Sequence, residues 1–302
     1  MPDDQPDHQP EPGAEHQPEH QPDPAAQHSA LWIDGRLVPA AEATVSPFDH
    51  GITVGDGIFE TLQVVRGQAF AATRHLARLR RSATGLRLPV PLDDDALRAA
   101  MHAVIEANHV DAGRLRLTVT GGVGPLGSDR GPAGSTVIVA TAGLPEWSPV
   151  TPVATVAWRR NEHSAVAGIK TTSYAENVVA LDDAHRRDST EAIFANTAGR
   201  LCEGTGSNVF VEHGGRLCTP PLSSGCLAGI TRELLLELVE VDELDLPLDA
   251  LASADEAFLT SSTRNVQAIG LVDGHPLAQA PGPLTRRAAE AFADLMARDL
   301  DP

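Results

Sequence analysis

Apolar and polar positions alternate in short runs along most of this chain, and longer helical stretches interrupt them. LWIDGRLV, from Leu31, reads as a strand, a turn at Asp34-Gly35 and a return strand. IFETLQVV, Ile58 to Val65, alternates with a period of two and predicts another strand. Thr73 is expected to cap a helix running through HLARLRRSATGL. Asp93 is expected to cap a second helix, in which Leu97, Met101, Val104 and Ile105 are spaced for one buried face. RLRLTVT and STVIVAT predict strands on either side of a glycine-rich loop, GGVGPLGSDRGPAG.

GLPEWSPVTP, Gly143 to Pro152, carries three prolines and no periodicity, and its part 146–152 is expected to link two domains. Beyond it the pattern resumes with the strand VATVAW, a helix after Lys170, the strands EAIFAN and SNVFVE, and a helix from Ile230 to Val241. EAFLT and a helix from about Leu284 to Leu300 complete the chain. Mixed strands and helices in two segments predict an α/β (α+β) protein of two domains, 30–145 and 153–300, with a site between them.

Composition alters this picture at one end. Residues 1–29 hold seven prolines, seven acids and three copies of HQP, with no lysine, arginine or aromatic residue. Such a segment buries too little apolar surface to offset its ordering entropy, so an acidic disordered tail is expected there. It has neither the basic start nor the apolar stretch of a signal peptide. The whole chain carries a net charge of −18, which argues against nucleic-acid backbones and anionic membranes as partners. No apolar run is long enough to span a bilayer. Cys202, Cys218 and Cys226 form no CxxC pair, so a reducing cytoplasm is the expected setting and no metal site is expected.

The candidate chemistry starts from one number. The 302 residues include a single lysine, Lys170, among twenty-three basic residues. Arginine replaces lysine wherever a solvated cation suffices, but a guanidinium cannot act as a deprotonated amine or condense with a carbonyl. Lys170 is therefore the candidate for a Schiff-base residue. In RLCEGTGSNVFVE, Glu203 precedes a small-residue turn and a strand, a place from which a carboxylate can hold a protonated ring nitrogen. In LAGITRELLLEL, Gly229 opens a helix whose first N–H groups lack partners and favour a phosphate.

Taken together, EGTGSNVF, TPPL, LAGITR, the early HGITVGDGIFET and the HxxRL run at His75 resemble the class IV aminotransferase family, the fold-type IV pyridoxal-phosphate enzymes. The resemblance covers roughly Leu31 to Leu300. It implies that Lys170 binds pyridoxal 5'-phosphate covalently and then transfers protons, and that Glu203 holds the pyridine nitrogen. It implies further that Arg78 and the N–H groups of Ile230 and Thr231 bind the phosphate. Ser262, in the Thr260–Thr263 segment, is the best match for a further donor. Tyr174 would meet the cofactor's phenolic oxygen. Family members are dimers with the cofactor near the subunit interface, so a homodimer is implied.

Within the family, D-amino-acid enzymes use a tyrosine in the GDG motif and a loop arginine to hold the substrate carboxylate. Phe59 and Leu126 stand at those positions here and lack the donors. GGVGPLGSDRG, KTTSYAENV and NTAGRLCEGTGSNVF look like actinobacterial 4-amino-4-deoxychorismate lyases, so this resemblance implies a lyase that releases 4-aminobenzoate and pyruvate. A branched-chain type aminotransferase using 2-oxoglutarate is the alternative, and a non-catalytic binding protein a third. Phe59, Arg130, Thr263 and Arg264 are the candidate substrate contacts.

Overall fold

The structure, a computed structural model, describes residues 30–302; the proposed acidic tail lies outside the described residues. The first half forms a six-stranded antiparallel sheet from β1 (Ala30–Ile33), β2 (Arg36–Pro39), β3 (Gly57–Val65), β4 (Gln68–Ala69), β5 (Gly113–Thr120) and β6 (Thr136–Ala142), in the order β2-β1-β6-β5-β3-β4. The β1–β2 turn has positive φ at both Asp34 and Gly35, the geometry that lets a two-residue hairpin follow the strand twist.

Helices α1 (His50–Thr53), α2 (Ala72–Leu86) and α3 (Asp94–Ala107) accompany this sheet. Period-two alternation sends Ile58, Leu62, Leu115, Leu117 and Val119 into one core with Leu76 and Leu79 of α2. Leu97, Met101, Val104 and Ile105 of α3 enter the same core, as their spacing predicts. Asp93 caps α3, accepting from the Ala96 N–H at 2.8 Å.

The second half is a nine-stranded mixed sheet. Its strands are β7 (Val150–Arg160), β8 (Glu191–Asn196), β9 (Leu201–Gly204), β10 (Asn208–His213), β11 (Arg216–Thr219), β12 (Asp242–Glu243), β13 (Ala257–Ser261), β14 (Asn265–Val272) and β15 (His275–Pro276). The order is β12-β11-β10-β13-β14-β7-β8-β9, with β15 paired to β14. Helices α4 (Ala175–His185), α5 (Ile230–Leu238), α6 (Ala250–Ser253) and α7 (Pro283–Arg298) complete it. Among the described residues, no helix is long and apolar enough to cross a membrane.

Three boundaries differ from expectation. Residues 150–152, expected in a linker, already belong to β7, where Val150 pairs with Ala268 of β14. The helix expected to reach Val241 stops at Leu238. Thr73 lies inside α2 rather than at its cap, and the residue before the helix, Ala71, is left-handed and has no side-chain acceptor.

The cap comes instead from the far end of the chain. Asp301 accepts from the Thr73 N–H at 2.7 Å and from its hydroxyl at 2.6 Å. Ala71 donates to the Leu300 carbonyl at 2.7 Å beside them. Phe70 and Ala71 also share one apolar cluster with Ile230, Leu234 and Phe292 of the second half. Losing a cap costs about 1 kcal/mol, so Asp301→Ala should lower the melting temperature by about 2–4 °C. Asp301→Asn, which keeps the acceptor oxygen, should recover most of that loss. Thermal unfolding followed by circular dichroism checks both variants.

Candidate active site

A cavity of about 510 Å³ opens between the two halves. β3 supplies its first wall by strand alternation. Ile58 and Glu60 turn toward α2, whereas Phe59 and Thr61 line the cavity. On β5, beside them, Arg116 faces the cavity while Leu115 and Leu117 are buried in the core.

Lys170 reaches this cavity through a strand-like approach to β3. The Phe59 N–H donates to the Lys170 carbonyl at 3.0 Å, and the Thr172 N–H to the Gly57 carbonyl at 2.8 Å. The hydroxyls of Thr172 and Ser173 both donate to the Gly55 carbonyl, each at 2.9 Å. The segment after the second domain's first strand is thereby tied to the first sheet. The Lys170 Nζ lies 4.4 Å from the Phe59 ring centroid. Burial, helped by the nearby Arg78 charge, pulls its ammonium down to about 8.

Glu203 sits on β9 and accepts from the Leu227 N–H at 2.9 Å and from the Arg160 Nε–H at 3.0 Å. Burial pushes its carboxyl upward, and Arg160 opposes that shift. The turn after Glu203 is anchored by buried Glu191, which accepts from the Thr205 N–H at 3.0 Å and the Ser207 hydroxyl at 2.9 Å. Tyr174 lines the cavity edge-on to Phe59, with ring centroids 5.3 Å apart.

The opposite end of the cavity is rich in donors. α5 begins after Gly229 with no side-chain cap, so the N–H groups of Ile230 and Thr231 have no acceptor within the helix. A side chain at Gly229 would run into Asn208 Oδ1, so the approach to this helix requires glycine. Ser262 and Thr263 line the same cavity. Thr260 Oγ1 is buried there without a hydrogen-bond partner among the described residues. Arg78, 4% exposed, gives one N–H to the Ala228 carbonyl at 2.9 Å. An orphaned hydroxyl, a helix N-terminus and an arginine fit a phosphate group.

Arg78 is held by a residue that no sequence signal singled out. Glu60, fully buried, accepts from Arg78 Nε at 2.9 Å and from its Nη2 at 2.6 Å. His75 Nδ1 lies 2.6 Å from the same carboxylate. Burial alone would raise the Glu60 carboxyl, but the Arg78 charge and its hydrogen bonds outweigh burial and hold it at about 2. Burial pushes His75 toward its neutral form against the pull of Glu60. Its proton then belongs on Nδ1, facing the carboxylate, which leaves Nε2 to accept from the Ser262 hydroxyl at 3.4 Å.

Two expected substrate contacts are placed elsewhere. Arg130 makes a two-pronged pair with Asp56, at 2.6 and 2.7 Å, and donates to the Leu86 carbonyl, so it ties the glycine-rich loop to the end of α2. Arg264 packs over the Trp147 ring at 3.7 Å and bonds Gln267 and Glu191. Neither lines the cavity; each is paired with a carboxylate of the fold instead. The cavity arginines are Arg78, Arg116 and Arg160. Arg116 stacks on Phe59 at 3.8 Å and reaches Thr118 Oγ1 at 3.2 Å; among the described residues it has no carboxylate partner. Its place beside Arg114 in an alternating strand was the available signal.

Glu60→Gln removes the one buried anion facing Arg78, so it should cost on the order of 3–5 kcal/mol at pH 7. A carboxylate depressed on folding contributes stability above its ordinary value of 4.5 and loses it as pH falls toward about 2. The gap between wild type and Glu60→Gln should therefore close through that window in urea titrations.

The family model for amino-transferase class IV matches residues 57–272. A D-alanine aminotransferase of Bacillus licheniformis is 31% identical over 274 residues, 86% of this chain and 94% of that protein. An aminodeoxychorismate lyase of Bacillus subtilis is 30% identical over 250 residues, covering 78% and 84% respectively. The crystal structure of the Escherichia coli branched-chain amino acid aminotransferase superposes with a TM-score of 0.83 at 26% identity, covering 89% of this chain and 94% of that one.

Proposed function

The chain belongs to the class IV aminotransferase family, and from that premise we propose that it is a pyridoxal-phosphate-dependent 4-amino-4-deoxychorismate lyase. The observation that carries this reading is Arg116, a cavity guanidinium with no carboxylate partner among the described residues, standing on the same Phe59 ring as the Lys170 amine. A substrate with an amine and two carboxylates suits that pairing, and Thr263 lines the cavity as a further donor.

Arg78, Thr260, Ser262 and the N–H groups of Ile230 and Thr231 would hold the cofactor phosphate. Glu203 would face the ring nitrogen, and Tyr174 the phenolic oxygen. When bound, pyridoxal phosphate would supply a ring that accepts the electron pair of a bond broken at the amine-bearing carbon.

The remaining work falls to the chain. A lysine held near 8 is neutral often enough at working pH to act as a base. Lys170 would take the C4 proton of the substrate. The C3–O bond then breaks with its electron pair leaving on oxygen, the carbocycle becomes aromatic 4-aminobenzoate, and the departing enolate takes up the proton at carbon to become pyruvate. Substrate atoms are conserved in the two products, so no amino acceptor is consumed.

The second reading is an aminotransferase of branched-chain type, favoured by the likeness to the Escherichia coli enzyme. In it, Arg116 would meet the distal carboxylate of 2-oxoglutarate. Purified enzyme given 4-amino-4-deoxychorismate alone should yield 4-aminobenzoate and pyruvate in equal amounts. If it forms neither, yet makes glutamate from 2-oxoglutarate with a branched-chain amino acid or D-alanine, the aminotransferase reading replaces the lyase. Arg116→Met should raise KM for the dicarboxylate substrate by about tenfold or more, the equivalent of 1.4 kcal/mol, without changing the cofactor absorbance.

Lys170→Arg should abolish turnover while keeping the charge. Borohydride trapping and peptide mapping should find the cofactor on Lys170, and a label elsewhere would overturn its role. Because its ammonium is lowered from 10.5 to about 8, acylation of Lys170 in cofactor-free protein should accelerate through pH 8 rather than pH 10.

We further infer a homodimer. Phe48, Ile52, Val54, Val123 and Leu126 are large apolar side chains left exposed on α1, its flanks and the adjoining glycine-rich loop. Sedimentation should give a dimer, and Ile52→Asp should shift it toward monomer.

A further inference from the structure

Arg160 closes β7 between two carboxylates in unlike surroundings. Its Nε–H donates to Glu203 Oε1 at 3.0 Å, and its Nη1–H donates to Glu176 Oε2 at 2.8 Å. The Arg160 and Glu203 side chains are 17% and 13% exposed, whereas Glu176 is 50% exposed. The guanidinium also rests on the Phe194 ring, 4.2 Å from its centroid, so its fork is held from below as well as from both sides. Glu176 lies in the first turn of α4, just after the Lys170 segment. One cation therefore serves a carboxylate at the cavity floor and another at the rim.

We propose that Glu176 and Glu203 share the Arg160 guanidinium, and that this sharing sets the charge Glu203 presents to the cavity. Glu176 is then a positioning residue that acts through Arg160. The consequence for catalysis rests on the reading of Glu203 as the partner of the cofactor's ring nitrogen; the sharing itself does not.

Electrostatics gives the two partners opposite signs. Neutralising Glu176 removes a competing anion, so Arg160 favours the ionised form of Glu203 more strongly. Removing Arg160 leaves Glu203 buried near a second carboxylate, and both effects drive it toward the neutral acid. Burial already raises this carboxyl, and Arg160 is the first influence opposing it. The other groups facing Glu203 are Lys170 ahead of α4, Tyr174 at its start, Cys202 on β9 and Cys226 before α5. They are common to every variant, so they set the baseline and not the direction.

The test titrates full-length protein labelled with carboxyl-13C glutamate, first cofactor-free and then loaded with pyridoxal phosphate. Loss of one resonance in Glu203→Gln assigns Glu203. Glu176→Gln should move its midpoint to lower pH, and Arg160→Met should move it to higher pH. Arg160→Lys should fall between Arg160→Met and the parent. In the Arg160→Met background, Glu176→Gln should move the midpoint by clearly less than it does in the parent, because the larger part of its effect runs through Arg160; an equal shift in both backgrounds would mean direct repulsion alone and would overturn the sharing.

A packing role alone would not produce shifts of opposite sign. Equal-sign shifts, or no shift in the half-exposed Glu176→Gln, would overturn the proposal; that variant carries the test even if Arg160→Met folds poorly. In loaded protein, the pH midpoint of the cofactor absorbance should follow Glu203 across the series. If the cofactor-free shifts appear but the absorbance ignores them, the sharing stands and the ring-nitrogen reading fails.

Discussion

The buried carboxylate of Glu60 is the constraint around which the cavity is built. It is enclosed on β3 and meets Arg78 through two hydrogen bonds and His75 through a third. A charge this deep is tolerated only with an opposite charge and filled hydrogen-bond positions. Satisfying Glu60 therefore dictates how α2 lies on the first sheet. That placement carries Arg78 across to the Ala228 carbonyl and His75 to Ser262, both in the second half. One anion so positions two of the side chains that bridge the halves at the cavity, beside the apolar cluster and backbone bonds that also join them.

The rest of the cavity distributes charge around that point. The protein is acidic, with a net charge of −18, yet Lys170, Arg78, Arg116 and Arg160 converge on one cavity. Three are held against different partners: Arg78 by Glu60, Arg160 by Glu203 and Glu176, and Arg116 by the Phe59 ring and a threonine hydroxyl. Repulsion from Arg78 and Arg116 contributes to the low proton affinity of Lys170, after burial. Of the three arginines, Arg116 alone lacks a carboxylate partner among the described residues.

Local rules made much of the chain legible. Alternation located β3, β5, β6, β8 and β10, because each buries one or both faces in continuous apolar rows. α3 followed from one apolar stripe and one capping aspartate. β14 escaped notice: NVQAIGLV mixes amide, alanine and glycine, and its extended state comes from ladders with β13 and β7 on either side. The cap of α2 escaped for a similar reason. Its acceptor, Asp301, lies 228 residues away from Thr73.

The sequence by itself determined the reactive groups. A lone lysine, a carboxylate before a small-residue turn and a glycine-opened helix are choices of chemistry and local backbone, and each lies in the cavity lining. Tertiary structure decided which charges are free. Arg130 and Arg264 read as substrate ligands along the chain, but folding places Asp56 and Glu191 against them first. Arg116 and Arg160 were not singled out along the chain, and folding turns them to the cavity. An arginine's availability depends on the nearest carboxylate in space, and these partners are 16 to 74 residues distant along the chain.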